Sequence, residues 1–311
     1  MELDGRQHMA TRQAAMKNLI IGAIKGYCWE QLFPFFESYK RCFKNCDCLM
    51  FAEGLSERTS RKIQEYGVIM IDIPEKFRNA CINNYRWTLI RDYLREHGKE
   101  YKMILSIDVR DAIFQKDLFA EYVEYDNYLG MATECDLIRD NECNTTWNIH
   151  QFGQEVYDRI KDNLVICSGT VWGTSRTFLT FSEIMHKVMF SKEYLEKYPS
   201  IEVWDQPAMD FIIYTDLVKQ LGADCKLLVS SIESGNVMTT VKDISNVPIK
   251  DDMILNYIGE VPAVVHQYDR HESLVDFVDK KYRKGCDYYL YRWFIRHIMA
   301  RKYLKKWFSA L

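Results

Sequence analysis

Glycine and proline are scarce in this chain, 14 and 6 of 311 residues, where the pair makes up roughly 12% of an average protein. Long flexible loops and low-complexity linkers are therefore not expected. Long apolar runs are missing too. The stretch from Leu19 to Ile24 is broken by Gly22 and falls far short of the ~20 residues a membrane span requires. Residues 1–16 contain no apolar stretch of signal-peptide length and read as a disordered or expression-derived start. An excess of one charge over the whole chain is also lacking: 41 Lys and Arg face 44 Asp and Glu, for a net charge of −3, and no nucleic-acid partner is expected. With 48% hydrophobic and 14% aromatic residues, the chain can bury a core and is not intrinsically disordered.

The ten cysteines lack the density of a disulfide scaffold and read as reduced thiols of a cytosolic chain. Cys42, Cys46 and Cys48 lie close together, yet no second Cys or His pair follows at zinc-ligand spacing. No period of 20 to 50 residues recurs, so solenoids and propellers are excluded.

What is present is an alternation of short β-branched stretches with longer segments of helical spacing, the pattern of an α/β sheet with crossover helices. Strands are expected at 18–24, 48–52, 68–73, 103–107, 128–132, 164–167, 226–230 and 263–267. Helices are expected at 29–44, 56–66, 85–97, 176–190 and 205–221. Residues 134–160, polar and aromatic, read as a functional loop or lid. Residues 17–275 are expected to form one catalytic domain, followed by a basic aromatic helix over 276–311. From 280 onward ten Lys and Arg stand against Asp287 alone, a charge of +9 on a remainder of −12. Apolar residues on one side of that helix and cations on the other suit an anionic membrane surface.

In an open α/β sheet, ligands bind at the carboxyl ends of the strands. One such end, Met103-Ile-Leu-Ser-Ile-Asp-Val-Arg-Asp-Ala-Ile-Phe-Gln115, releases Asp108, Arg110 and Asp111 within four residues. Paired carboxylates there can hold Mg²⁺ or Mn²⁺, which prefer oxygen ligands and keep positions open for substrate phosphates. A second strand, Asn163-Leu-Val-Ile-Cys-Ser-Gly-Thr-Val-Trp-Gly-Thr174, opens into small residues that allow close approach of backbone to ligand. A third, Val261-Pro-Ala-Val-Val-His266, ends in an imidazole.

The order Asp-Val-Arg-Asp, Cys-Ser-Gly-Thr, Trp204-Asp-Gln206 and Val-Val-His266 resembles the GT-A class of nucleotide-sugar glycosyltransferases, in the motif order of its family-8-like members. The resemblance implies a GT-A, Rossmann-like mixed sheet flanked by helices, with Mn²⁺ or Mg²⁺ as cofactor. It implies a nucleoside-diphosphate sugar as donor and a glycan or glycolipid hydroxyl as acceptor. By the same resemblance Asp111 and His266 are metal ligands, while Asp108, one place out of register with a strict DxD, touches metal, ribose or Arg110. Asp205 and Gln206 lie beside the sugar and acceptor, Tyr27 with Lys25 near the nucleotide, and Arg86 and Arg110 towards the diphosphate. An inverting reaction implies a carboxylate base, Asp205 or one of Glu134, Asp136, Asp140 and Glu142; a retaining one places Gln206 at the sugar face. Gly22 and Gly26 do not make GxGxxG, which disfavours a dinucleotide oxidoreductase, and Asp108-Val-Arg-Asp111 fails the spacing of a haloacid-type phosphatase. A nucleotidyltransferase of the same fold, for which Lys25 is the one hint, and a non-catalytic sugar-nucleotide-binding module are the alternatives.

Overall fold

The computed structural model describes residues 16–78, 80–197, 204–240 and 246–283. Its frame is a seven-stranded sheet built from β1 (Lys17–Lys25), β2 (Cys46–Glu53), β3 (Ile69–Asp72), β4 (Tyr101–Ile107), β6 (Tyr128–Leu137), β7 (Leu164–Thr174) and β8 (Lys226–Ser230). The strand order is β3-β2-β1-β4-β7-β6-β8. All are parallel except β7, which runs antiparallel between β4 and β6. The strands near the middle are almost wholly apolar because both faces are covered.

One face carries helices α3 (Ile82–His97), α4 (Glu142–Ile160), α5 (Ser175–Phe190) and α7 (Asp205–Ile213), which bury Trp87, Phe152, Phe178, Phe181 and Met209 against it. The short α6 (Lys192–Lys197) leads out of α5. The other face carries α1 (Trp29–Cys42), whose Leu32, Phe35, Phe36 and Tyr39 recur at helical spacing, with α2 (Glu57–Gln64) beside it. On the same side a second sheet, β5 (Ala112–Phe114), β12 (Val264–His266) and β9 (Val237–Thr239), packs Phe114 and Val264 inwards. Its alternate residues Ile113, Val265 and Met238 face outwards into a third cluster closed by α8 (Glu272–Tyr282). A two-stranded ribbon of β10 (Ile249–Lys250) and β11 (Met253–Ile254) completes the fold.

Each expected strand has a counterpart in the sheets, and each expected helix has one that begins within three residues of its expected start, the largest offset being Ile82 against 85. Three readings are corrected. Residues 134–160 are not a loop: β6 runs on to Leu137, and α4 occupies 142–160 with a break at Gly153 (φ 84°). Polar residues there face another polar surface, so an apolar period is missing. The small residues 168–174 continue β7 instead of ending it. The helix expected over 205–221 ends at Ile213, where Thr215 takes over the backbone, donating to Phe211 O and accepting from Leu217 N. The C-terminal basic helix lies outside the described residues except for α8, which spans the 275/276 boundary and buries Val278 and Tyr282. Residues 1–15 also lie outside them.

Gly130 of β6 stands opposite Trp172 of β7, whose indole lies across it where a Cβ would sit. Gly130→Ala should therefore destabilise the fold by about 1–3 kcal/mol through overpacking. Trp172→Phe should recover part of that loss in a double-mutant cycle read by urea unfolding. Additive effects would show that the two residues do not share this space.

Candidate active site and metal centre

The chain leaves the main sheet at Ile107 and enters the small one at Ala112, so residues 108–111 are the corner between the two sheets. Asp108 N donates to Gly169 O at 2.8 Å, prolonging the β4–β7 ladder by one step. Across the corner, β12 sets His266 opposite Ala112. Ligand atoms of Asp108, Asp111 and His266 consequently lie within 4.8 Å of one another. His266 Nε2 stands 3.6 Å from Asp111 Oδ1 and 3.7 Å from Asp108 Oδ2, beyond hydrogen-bonding distance. It is buried without a hydrogen-bond partner.

An ion with bonds of roughly 2.1 Å keeps adjacent ligands about 3 Å apart, close to these spacings. A Cβ at Gly169 would land on the His266 ring and the Asp108 carboxylate, so only glycine leaves the three groups room to converge. Two carboxylates and one imidazole, with Asp108 exposed on one side, fit a divalent cation with open positions. The other ring nitrogen, His266 Nδ1, meets Cys167 Sγ at 3.4 Å. Burial disfavours the imidazolium, but Cys167 and Asp111 outweigh it and raise the His266 pKa well above its ordinary value. Burial likewise opposes ionisation of Asp111, yet contact with His266 and the nearby Arg110 hold its carboxyl at about 2.

Arg86, on α3, is buried. Its guanidinium reaches Asp108 Oδ1 at 2.5 Å, donates to Ser168 O at 2.8 Å and pairs with Asp205. Asp205 also accepts from Ser168 Oγ at 3.3 Å. Burial raises its pKa, with Arg86 pulling the other way. The carboxylate of Asp205 makes no helix cap; Trp204 holds that position. Gln206 turns instead to Asn144 Oδ1 (3.1 Å) and Glu134 Oε1 (3.4 Å). Glu134 is buried and its pKa raised mainly by that burial, with His266 opposing. Of the other acids of this stretch, Asp136 accepts from Asn141, Asp140 neighbours Arg139, and Glu142 opens α4.

Arg110, half-buried, pairs with Asp111 at 3.3 Å and Asp269 at 2.7 Å, and Tyr27 has Arg110, Asp108 and Asp111 as its charged neighbours. Lys25 points elsewhere: it donates to the carbonyls of Arg78 and Ala80 and pairs with Glu53 at 3.0 Å. The structure thus brings together Asp108, Asp111, His266, Arg86, Asp205, Arg110 and Tyr27, sets Gln206 beside Glu134, and leaves Lys25 holding a loop.

Sequence reasoning passed over Asn144, Asn148 and Asp210. Asn148 Nδ2 donates to Asn144 O and to Asp210 Oδ2, while Asp210 Oδ1 accepts from Ile166 N at 2.9 Å. Burial pushes the Asp210 carboxyl up to about 7. The spacing of Asn144, Asn148 and Gln151 on one helical face was the available signal. A cavity of about 630 Å³, lined among others by Tyr122, Trp172, Asn236 and Glu260, lies at the far end of β12 from His266.

No protein-family profile and no curated protein matches the chain. Solved structures do. An active-site mutant of LgtC aligns over 86% of this chain and 97% of its own at 13% identity, with a TM-score of 0.51. The bifunctional glycosyltransferase WbbM aligns over 89% of this chain and 51% of its own at 9% identity, TM-score 0.54. The galactosyltransferase LgtC in complex with donor and acceptor sugar analogs gives 86% and 97% at 14% identity, TM-score 0.49. The chain has the GT-A-type fold, a mixed α/β sheet flanked by helices, that its alignments with the LgtC mutant and WbbM carry.

In the ion-free protein Asp111 titrates at about 2, below the ~3.9 of an unfolded chain. A depressed carboxylate stabilises the fold fully above about pH 4 and loses that contribution as pH falls towards 2. Asp111→Asn should therefore lose less stability than wild type over that interval, read as urea midpoints at pH 4 and pH 2.5. Parallel acid limbs would contradict this assignment.

Proposed function

We propose that the chain transfers a sugar from a nucleoside-diphosphate sugar to a hydroxyl of a glycan or glycolipid, with a divalent cation held by Asp108, Asp111 and His266. The observation that carries this reading is the convergence of those three groups at the corner of a GT-A-type sheet, beside Gln206 and Glu134. A sugar's anomeric carbon separates from diphosphate with the bonding pair leaving on phosphate oxygen, and a bound cation supplies neutralisation of that charge. The acceptor oxygen forms the new bond to the anomeric carbon and gives up its proton to the departing phosphate oxygen.

The residues divide this work. Arg110, partly exposed beside Asp111, is available to a phosphate oxygen, and Tyr27 to the nucleoside next to it. Arg86 is buried, with both terminal nitrogens engaged by Asp108, Asp205 and Ser168 O, which supports a positioning role for it in place of direct contact with diphosphate. Asp205, enclosed with Arg86, acts with it, whereas Gln206 and Glu134 are the groups we assign to the sugar. The nucleotidyltransferase reading relied on Lys25, whose ammonium is already engaged. Membrane docking rests on the sequence of the tail alone. Full-length protein should sediment with anionic liposomes and a version ending at Gly285 should not; equal sedimentation would remove that part of the proposal.

The transfer reading is tested by a thermal-shift screen against UDP-, GDP- and CMP-sugars with and without Mn²⁺, since stabilisation grows with ligand affinity, together with release of nucleoside diphosphate. At least one donor should stabilise the protein in a Mn²⁺-dependent way. Asp111→Ala should abolish that shift and turnover, and His266→Ala should weaken both. Gln206→Ala should lower turnover by on the order of 10²-fold with nucleotide affinity retained. If no nucleotide raises the melting temperature with Mn²⁺, or turnover survives exhaustive chelation, the proposal fails.

A further inference from the structure

Of the tryptophans among the described residues, Trp29, Trp87 and Trp172 are buried in the core. Trp147 and Trp204 are not. Their indoles stack on each other at 5.4 Å between centroids and 20° between planes, both are only partly buried, and neither packs into the hydrophobic clusters of the described residues. Leaving two large apolar rings half in water forgoes much of the burial that stabilises such side chains.

The pair is nevertheless held firmly. Asn144, Asn148 and Gln151 form the buried face of α4 that meets α7, and Trp147 sits at the margin of this face, one turn from Asn144. Gln151 Oε1 accepts from Trp204 N at 2.7 Å, Asn148 is tied to Asp210, and Asn144 to Gln206. Trp204 immediately precedes Asp205 and Gln206. The polar network that orients Gln206 therefore also fixes the backbone from which the Trp204 indole projects onto Trp147.

A flat, half-wet indole pair next to amide and carboxyl groups matches the C–H face of a sugar ring, which is apolar while its edge bears hydroxyls. Charge selects among sugars. Glu134 accepts from Gln206, two residues on from Trp204, and would repel an anionic ring. We infer that Trp147 and Trp204 form a stacking platform for a neutral pyranose ring of the acceptor. This inference rests on the transfer reading above and names the substrate class of the same site.

The test titrates full-length protein with lactose, maltose and cellobiose, and with N-acetylneuraminic acid as the anionic comparator, reading tryptophan emission. At least one neutral disaccharide should give a saturable change, and N-acetylneuraminic acid none. Trp147→Ala and Trp204→Ala should each weaken binding at least about fivefold, the effect expected for loss of one stacking contact, and Trp147→Phe should restore most of it. Calorimetry of Mn²⁺-dependent UDP binding in the same variants guards against general damage, because a local platform leaves it equal to wild type. Saturable disaccharide binding that is lost in the alanine variants while no nucleotide binds even wild type would uphold the platform and refute the transfer reading. Nucleotide binding with no response to any neutral disaccharide, or alanine variants that bind as wild type, would overturn the platform.

Discussion

One buried guanidinium ties the site together. Arg86 joins α3 to the end of β4 through Asp108, to β7 through Ser168 O, and to the first residue of α7 through Asp205. Removing one member of a buried ion pair costs about 3–5 kcal/mol because the partner charge is left unpaired. Here two carboxylates would be left. The entry of α7, and with it the direction of Gln206, is therefore set by an ion pair several elements away in sequence. Consecutive residues on a helix point roughly 100° apart, so anchoring Asp205 to Arg86 turns Gln206 towards Glu134 and Asn144.

A second constraint is steric. Two sheets can share a corner at residues 108–111 only if the strand passing behind them gives way, and Gly169 provides that room. Gly22 does the same on β1, the strand on the other side of β4, where an added Cβ would lie 2.8 Å from Ile107 O and 3.1 Å from Met50 Sδ. Small residues let the carboxylates and the imidazole approach, and Cys167 behind His266 Nδ1 leaves Nε2 as the nitrogen facing them. Metal-binding histidines commonly have such a partner on the opposite ring nitrogen, where it fixes orientation.

Most of the frame was legible because its strands are covered on both faces and its helices on one, which writes period and run length into the sequence. The strand-end placement of Asp108, Asp111 and His266 was legible for the same reason. The helix over 142–160 was not. The inward face of its first half is Asn144, Asn148 and Gln151, polar groups matched to Asp210, Gln206 and the backbone of Trp204, and only past them do Phe152, Val156 and Ile160 supply apolar positions, interrupted at Gly153; a hydrophobic pattern cannot register a polar match. Arg86 shows a different limit. Its position near the site was foreseen from motif order, but a lone arginine in sequence does not reveal that two carboxylates and a carbonyl already occupy it. Lys25 is a similar case, engaged by carbonyls brought near only by folding.

The charge balance of the assembled site supports the proposed cation more strongly than any single ligand does. Asp108, Asp111, Asp205, Asp269 and Glu134 surround it, against Arg86, Arg110 and Arg270 as permanent cations, the last of them beside Asp269. Arg86 is buried between two of the acids, and Arg110 lies between Asp111 and Asp269, so little positive potential is left over. A diphosphate brought to such a surface alone would meet like charge in a partly desolvated setting, where repulsion is strengthened. A divalent cation between Asp111, Asp108 and His266 reverses the local sign without disturbing either arginine. On the proposed reading the acids serve one purpose on each side of the corner: those facing His266 would gather a cation for the phosphates, and those held by Arg86 fix the helix that presents Gln206.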